Sequence, residues 1–165
     1  MRRRTLFIYI FSFAFLILTG CNSTAVNKSD DLFQYKDSYV GDSGAVGNIT
    51  RRLPNPAGEH LNGLELKTKE EPYGVILNYI EADKIEDIEL NYSELALYNA
   101  TFIFALVKNA DWVQFNFVED QMLITREKLQ DWYGKDIRLF SSEEELNRFV
   151  QEHLKDQDKV NQFFH

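Results

Sequence analysis

"LALYNATFIFALV", residues 95–107, is the longest apolar run beyond the first 20 residues of the chain, and its reading decides the fold. Nearly every position is apolar, so it has no polar face to show to water. About 13 residues are too few to span a bilayer, which takes roughly 17–25. A helix that is apolar all round and too short for a membrane belongs inside a core. Asn91 followed three positions on by Glu94 is a capping-box pattern that starts it. Asn99, in its middle, predicts an internal hydrogen-bond partner, because an unpaired buried amide is costly.

Strand signals lie on both sides of this helix. Before it, "LELKT" (residues 64–68) alternates apolar and polar and predicts a half-buried strand. "KEEPYG" turns the chain into "VILNYI" (75–80), which is apolar on both faces and predicts a central strand. After the helix, "WVQFNFV" (112–118) alternates, with Val113, Phe115 and Phe117 on one face. "EDQ" turns it into "MLIT" (122–125), a second hairpin. Thr125 caps a short helix that stops at Gly134, and Ser141 or Ser142 opens a last helix with a Leu146, Phe149, Val150 and Leu154 stripe. Upstream, Asp42 or Ser43 caps a helix carrying Val46, Ile49 and Leu53, with Arg51 and Arg52 complementing its dipole and Pro54 ending it. "NPAGEHLNG" reads as a loop. The expected fold is α+β: an antiparallel four-stranded sheet from two hairpins, with helices packed mainly on one face.

The N-terminus differs in kind. Arg2, Arg3 and Arg4 precede the apolar run "LFIYIFSFAFLIL" (6–18), whose length suits the hydrophobic region of a secretory signal. Leu18, Thr19, Gly20 and Cys21 resemble a bacterial lipobox, in which the cysteine is acylated and becomes the first residue. Cys21 is the only cysteine, so no intramolecular disulfide forms. Residues 1–20 are therefore expected to be a lipoprotein signal peptide, 21–31 a flexible tether, and 32–165 a single domain. One acyl chain holds a membrane marginally and two hold it stably. The expected location is the extracytoplasmic face of a cell membrane, reached through the lipid.

Removing the three signal arginines from 18 basic residues leaves 15 against 26 acidic ones, a net charge near −11. A body this acidic excludes nucleic acid and anionic lipid as partners of its general field.

The chemistry-bearing residues form no catalytic pattern. "GDSG" around Ser43 resembles the nucleophile segment of chymotrypsin-like proteases, but no histidine precedes it. "VGDS" resembles the first block of GDSL-type esterases. Their Asp-x-x-His pair is missing, since Val150 stands three residues before His153. A hydrolase using Ser43 is the alternative to a helix start at that point. His60, His153 and His165 have no ligand-like spacing, so neither metal nor cofactor is expected. The acidic run "EADKIEDIE" (81–89) reads as a solvated face. Trp112 falls beside Gln114 and Asn116 on the polar face of its strand. With Tyr39, Tyr73, Trp132 and Tyr133 it makes a candidate binding patch, unless the C-terminal helices bury these rings.

Taken in order, "LFQYKDSYVGDSGAVGNI", "GLELKTKEEPYGVILNY", "YNATFIFALVKNADWVQFNF" and "ITREKLQDWYGKDI" resemble domain-of-unknown-function family 4825, found among Bacillus-type lipoproteins. The resemblance implies a Gram-positive, extracytoplasmic setting. Related domains attached to membrane sensor-type peptidases imply sensing or partner binding. It supplies no catalytic residues. The expected function is a lipid-anchored binding or sensing module whose partner is a membrane protein, a cell-wall component or a small ligand. A structural envelope lipoprotein is the further alternative.

Overall fold

Helix α2 (Tyr92–Leu106) runs through the middle of the domain, with ten consecutive or near-consecutive side chains from Ala96 to Leu106 buried. The computed structural model describes residues 31–82 and 91–165. The side chain of Asn91 caps α2, accepting from Glu94 N (3.2 Å), and its amide meets the Glu94 carboxylate. Asn99 finds its partner outside the helix, donating to Pro54 O (3.0 Å). The helix needs no polar stripe because a sheet covers one side and helices α1 (Ser43–Arg52), α4 (Glu143–Leu154) and α5 (Gln157–Phe164) flank the rest.

The sheet has the order β1 (Glu59–Lys67), β2 (Gly74–Glu81), β3 (Trp112–Asn116), β4 (Gln121–Thr125). Both hairpins form as expected, β1 with β2 and β3 with β4, each antiparallel. The seam between them corrects the all-antiparallel expectation: β2 and β3 run parallel, Val75 opposite Val113 and Leu77 opposite Phe115. The cause is topological. The chain leaves β2, passes through α2 and re-enters the same sheet, and such a crossover returns the next strand in the same direction. The sheet is therefore mixed and the fold α+β.

Strand β1 is longer than its alternating core. It starts at Glu59, inside the stretch read as a loop, and a register slip between Leu61 and Gly63 lets both segments pair with β2. Glu59 is the reason the early segment is held. Its buried carboxylate accepts from Tyr92 OH and from Val118 N (3.2 Å), tying β1 to the start of α2 and to the β3–β4 turn.

The C-terminal third closes the helical side. Helix α3 (Arg126–Tyr133) has Thr125 as cap and stops at Gly134, which takes the left-handed conformation (φ 62°). Of the two serines before α4, Ser142 is the cap, accepting from Glu145 N. Helix α5 was not separable in the sequence from the end of α4; Asp156 caps it, and Val160 and Phe163 bury its inner face. The start of the described chain is clamped to this region: Leu32 N donates to Glu143 Oε2 (2.6 Å), and Lys36 Nζ donates to Arg138 O (2.8 Å) and Phe140 O.

Among the described residues no helix is long and apolar enough to cross a membrane. The stretches read as a signal, a lipobox with Cys21 and a tether, up to residue 30, lie outside the described residues, as does the acidic run from residue 83 to 89.

Candidate functional site

Because side chains alternate along a strand, the register divides the sheet cleanly. Val75, Leu77, Tyr79, Val113, Phe115 and Ile124 point to α2 and are buried. Among the described residues no helix covers the other face. Ile76, Asn78, Trp112, Gln114 and Asn116 are only half-buried there, Ile80 and Val118 are exposed, and Leu123 is 57% exposed. The apolar-on-both-faces pattern of residues 75–80 thus marks a strand central in the sheet but open on one side.

Trp112 dominates this open face. A Cβ built on Gly74 would fall well inside contact distance of the indole atoms Cε2, Cδ2 and Cζ2. Two of these are the ring-fusion atoms, which can be reached together only from the ring's face. The indole therefore lies flat across the sheet with the Gly74 backbone beneath it. Its Nε1 donates to Pro72 O (3.0 Å), which fixes the ring's rotation. Next to it runs a chain of amides. Gln114 Nε2 donates to Asn116 Oδ1 (2.8 Å), Gln121 Nε2 to the same oxygen (2.7 Å), and Asn116 Nδ2 to Asn78 Oδ1 (2.6 Å). Each side chain is held by a neighbour, so little rotamer freedom is left to lose on binding.

A cleft of about 660 Å³ opens at the Trp112 end, between the residue 72 turn and α3; Asp111, Thr125, Glu127, Gln130 and Asp131 line it with Trp112. Its floor is made rigid by Arg126. The guanidinium turns inward and donates to Ala110 O (2.7 Å), Phe104 O (2.8 Å) and Val107 O (2.7 Å), bonding carbonyls at the C-terminal end of α2 and in the turn that follows it. Burial lowers its pKa to about 10, with repulsion from Arg138 acting in the same direction and Asp111 and Asp136 opposing. Asp111 in turn accepts from Tyr73 N (2.8 Å), joining the turn to β3. A larger concavity, about 710 Å³, lies between Glu152 and Lys159 and is walled by exposed charged side chains.

The proposed five-ring patch does not assemble. Trp132 and Tyr133 sit on the helical side, under α4 and α5. Trp132 packs edge-on against Phe163, and Tyr133 is buried with its hydroxyl 2.9 Å from Thr101 Oγ1. Tyr39 is 52% exposed and lies under the Lys108 ammonium, 3.9 Å from the ring centre. Tyr73 is half-buried against the core beside the cleft. Of the five, Trp112 alone belongs to the open face. What replaces the patch is Trp112 with Gly74, Ile76, Asn78, Asn116, Gln121 and Leu123. The alternation of residues 112–118 signalled the amides, but their partners on β2 and β4 depend on the parallel seam.

Ser43 is exposed in the first turn of α1, and Asp42 is the cap, its Oδ1 accepting from Ala45 N (3.0 Å). Among the described residues no hydrogen bond joins Ser43 to a histidine. His60 stands exposed on β1, and His153 Nδ1 is 2.8 Å from Phe149 O within a cluster of rings on α4. Among the described residues no group of three or more His, Cys, Asp or Glu side chains is placed to hold a metal ion.

A family model described as Domain of unknown function (DUF4825) matches residues 32–130. That span contains the whole sheet, α2, Trp112 and Arg126, and ends within α3. No curated protein and no solved structure matches the chain.

Proposed function

Since the chain belongs to the DUF4825 family, whose function is itself open, we propose from its geometry that it is a lipid-anchored, extracytoplasmic binding or sensing module of a Gram-positive envelope, with the open sheet face as its recognition surface. The observation that carries this reading is the contrast between the two faces of one sheet. The inner face is sealed by α2. The outer one presents a fixed indole, oriented amides, and an exposed Leu123 beside a half-buried Ile76. Exposed apolar side chains grouped with aligned polar ones mark surfaces that meet a partner. A fixed aromatic plane beside oriented amides is suited to holding a ligand, and the reading is therefore one of recognition.

The lipobox at residues 18–21 supports the anchor. Two acyl chains on Cys21 hold the protein at the membrane, and the residues up to Asp31 act as a tether. Confinement to a thin layer raises the local concentration of the domain toward other membrane and wall components without any new contact. The excess of acidic over basic residues, 26 against 18, keeps the domain off anionic headgroups.

The test is crosslinking of the native protein in a Gram-positive host, alongside Cys21→Ser. A defined adduct in the membrane fraction, lost when Cys21 is replaced, is the expected result. Equal adducts with and without the lipid, or a Cys21→Ser protein that stays with the membrane, would contradict the anchored reading.

A further inference from the structure

We propose that the open sheet face binds an extended, uncharged glycan strand, with one pyranose ring stacked on Trp112. The inference rests on the reading of this face as the recognition surface and names what fills it.

Three features select this ligand. The first is the lie of the indole. Trp112 is flat on Gly74, so one ring face is covered by backbone and the other is turned away from the sheet. The face of an indole is electron-rich and its edge is not. A pyranose presents polarised C–H groups on its flat side, the complement of such a ring face. An indole packed in a core or wedged by its edge would offer no such plane.

The second is charge. In a chain with 44 formally charged residues among 165, the outer positions of β2, β3 and β4 from Gly74 and Trp112 to Asn78, Asn116 and Gln121 carry none. On β1 the nearest charges, Glu65 and Lys67, pair with each other (2.8 Å). An anionic ligand would meet the field of an acidic protein, and the cation bordering this face, Lys67 beside Gly74, is already paired with Glu65. A cationic one would find beside Ile76 only the Glu65 carboxylate, already engaged by Lys67 and by Asn78 Nδ2 (3.4 Å). A neutral ligand is the one the face complements.

The third is the amide chain. Gln114, Asn116, Asn78 and Gln121 are tied together by their own hydrogen bonds, which leaves Gln114 Oε1, Gln121 Oε1 and the second protons of the amides for a ligand. Sugar hydroxyls donate and accept, as amides do. Ile76 and Leu123 flank the amides with apolar surface for the C–H faces of further rings. Strand β3 is five residues long, about 17 Å at roughly 3.3 Å per residue, so the face accommodates an oligosaccharide and not merely one ring.

The experiment uses the full lipidated chain in a non-glycosidic detergent. The probes are the hexasaccharides of N-acetylglucosamine and of β-1,4-linked glucose, both neutral, with hexagalacturonate as the anionic control. Binding is followed by calorimetry and by indole fluorescence in a Trp132→Phe background. The expected result is saturable binding of at least one neutral hexamer with a change in Trp112 emission. Trp112→Ala then weakens it by about tenfold or more with unchanged circular dichroism, and Trp112→Phe, which keeps a smaller ring, loses less. No saturable binding of either neutral hexamer, equal binding by Trp112→Ala, or galacturonate binding as tightly would overturn the proposal. So would sedimentation showing the face closed in a dimer that Leu123→Glu dissociates. If the hexamers fail while a crosslinker at Leu123 still captures an envelope component in cells, the glycan is wrong and the binding reading survives. If both fail, both fall.

Discussion

The packing of Trp112 on Gly74 makes a sharp prediction for Gly74→Ala. The new methyl group would occupy the space of the indole's fused rings, and a hydrogen-bonded aromatic ring cannot yield as a flexible chain end would. Overpacking of this kind costs about 1–3 kcal/mol. If the ring swings away it also gives up the Nε1–Pro72 O bond, about 0.5–1.5 kcal/mol. In a Trp112→Ala background the three indole atoms nearest to the new methyl are gone. There it gains about 0.5–1 kcal/mol, because glycine in a strand has more freedom to lose than alanine. The two substitutions should therefore be strongly non-additive, with a coupling of about 1.5–4 kcal/mol. Urea unfolding of the parent, both single variants and the double variant measures it, and constant m-values would show that the unfolded state is unchanged. In a Trp132→Phe background, Gly74→Ala should also red-shift Trp112 emission. Additivity within about 0.5 kcal/mol would refute the stacked geometry, and with it the binding platform.

Three further outcomes follow from the same structure. Arg126→Met removes the side-chain donor from Phe104 O, Val107 O and Ala110 O, of which Val107 O still accepts from Ala110 N, and should cost about 1–3 kcal/mol, whereas Arg126→Lys should recover only part of it, since an ammonium's donors sit on one nitrogen and do not reproduce the planar fork of a guanidinium; chemical denaturation of both variants tests this. Asp42→Ala should lose about 0.5–2 kcal/mol as a helix cap, while Ser43→Ala stays within about 0.5 kcal/mol, measured by thermal unfolding. Burial pushes the Tyr79 hydroxyl up to about 12, against about 10 in the unfolded chain. The folded state then keeps a proton that the unfolded state loses, so this contribution is complete below pH about 10 and is lost as pH rises toward 12, on the order of 2–3 kcal/mol. Tyr79→Phe should flatten the decline between those pH values. Arg126 acts in the opposite sense there, its lowered pKa favouring the fold as pH rises, but it is common to both proteins and cancels in the comparison.

Local signals in the sequence carried most of the elements. Asn91, Thr125 and Gly134 mark helix ends because capping and left-handed turns depend on side chains within a few residues. The alternation of residues 112–118 identified the buried Val113, Phe115 and Phe117 for the same reason. What stayed hidden depends on partners far along the chain. The parallel seam follows from where α2 returns the chain. The first residues of β1 are held by Glu59 reaching Tyr92 and Val118, an interaction 33 to 59 residues away that turn-like composition disguised. The boundary between α4 and α5 is set by Asp156, a cap inside a polar stretch with nothing to distinguish it. The aromatic patch failed because Trp132 and Tyr133 lie on a helix buried by two others, and counting rings along the chain does not say which side of the sheet each one joins. Trp112 was found by its strand's polar alternation; Gly74 beneath it was not, because a glycine before a strand ordinarily reads as a turn.

The most direct test of the recognition surface is position-specific photocrosslinking in living cells. A photoreactive residue at Leu123 samples the open face, and one at Arg148, exposed on α4, samples the helical side. A discrete adduct from Leu123, absent from Arg148 and weakened by Trp112→Ala, is the result the account predicts. Adducts of equal yield from both positions, or a discrete adduct from Arg148 alone, would contradict it.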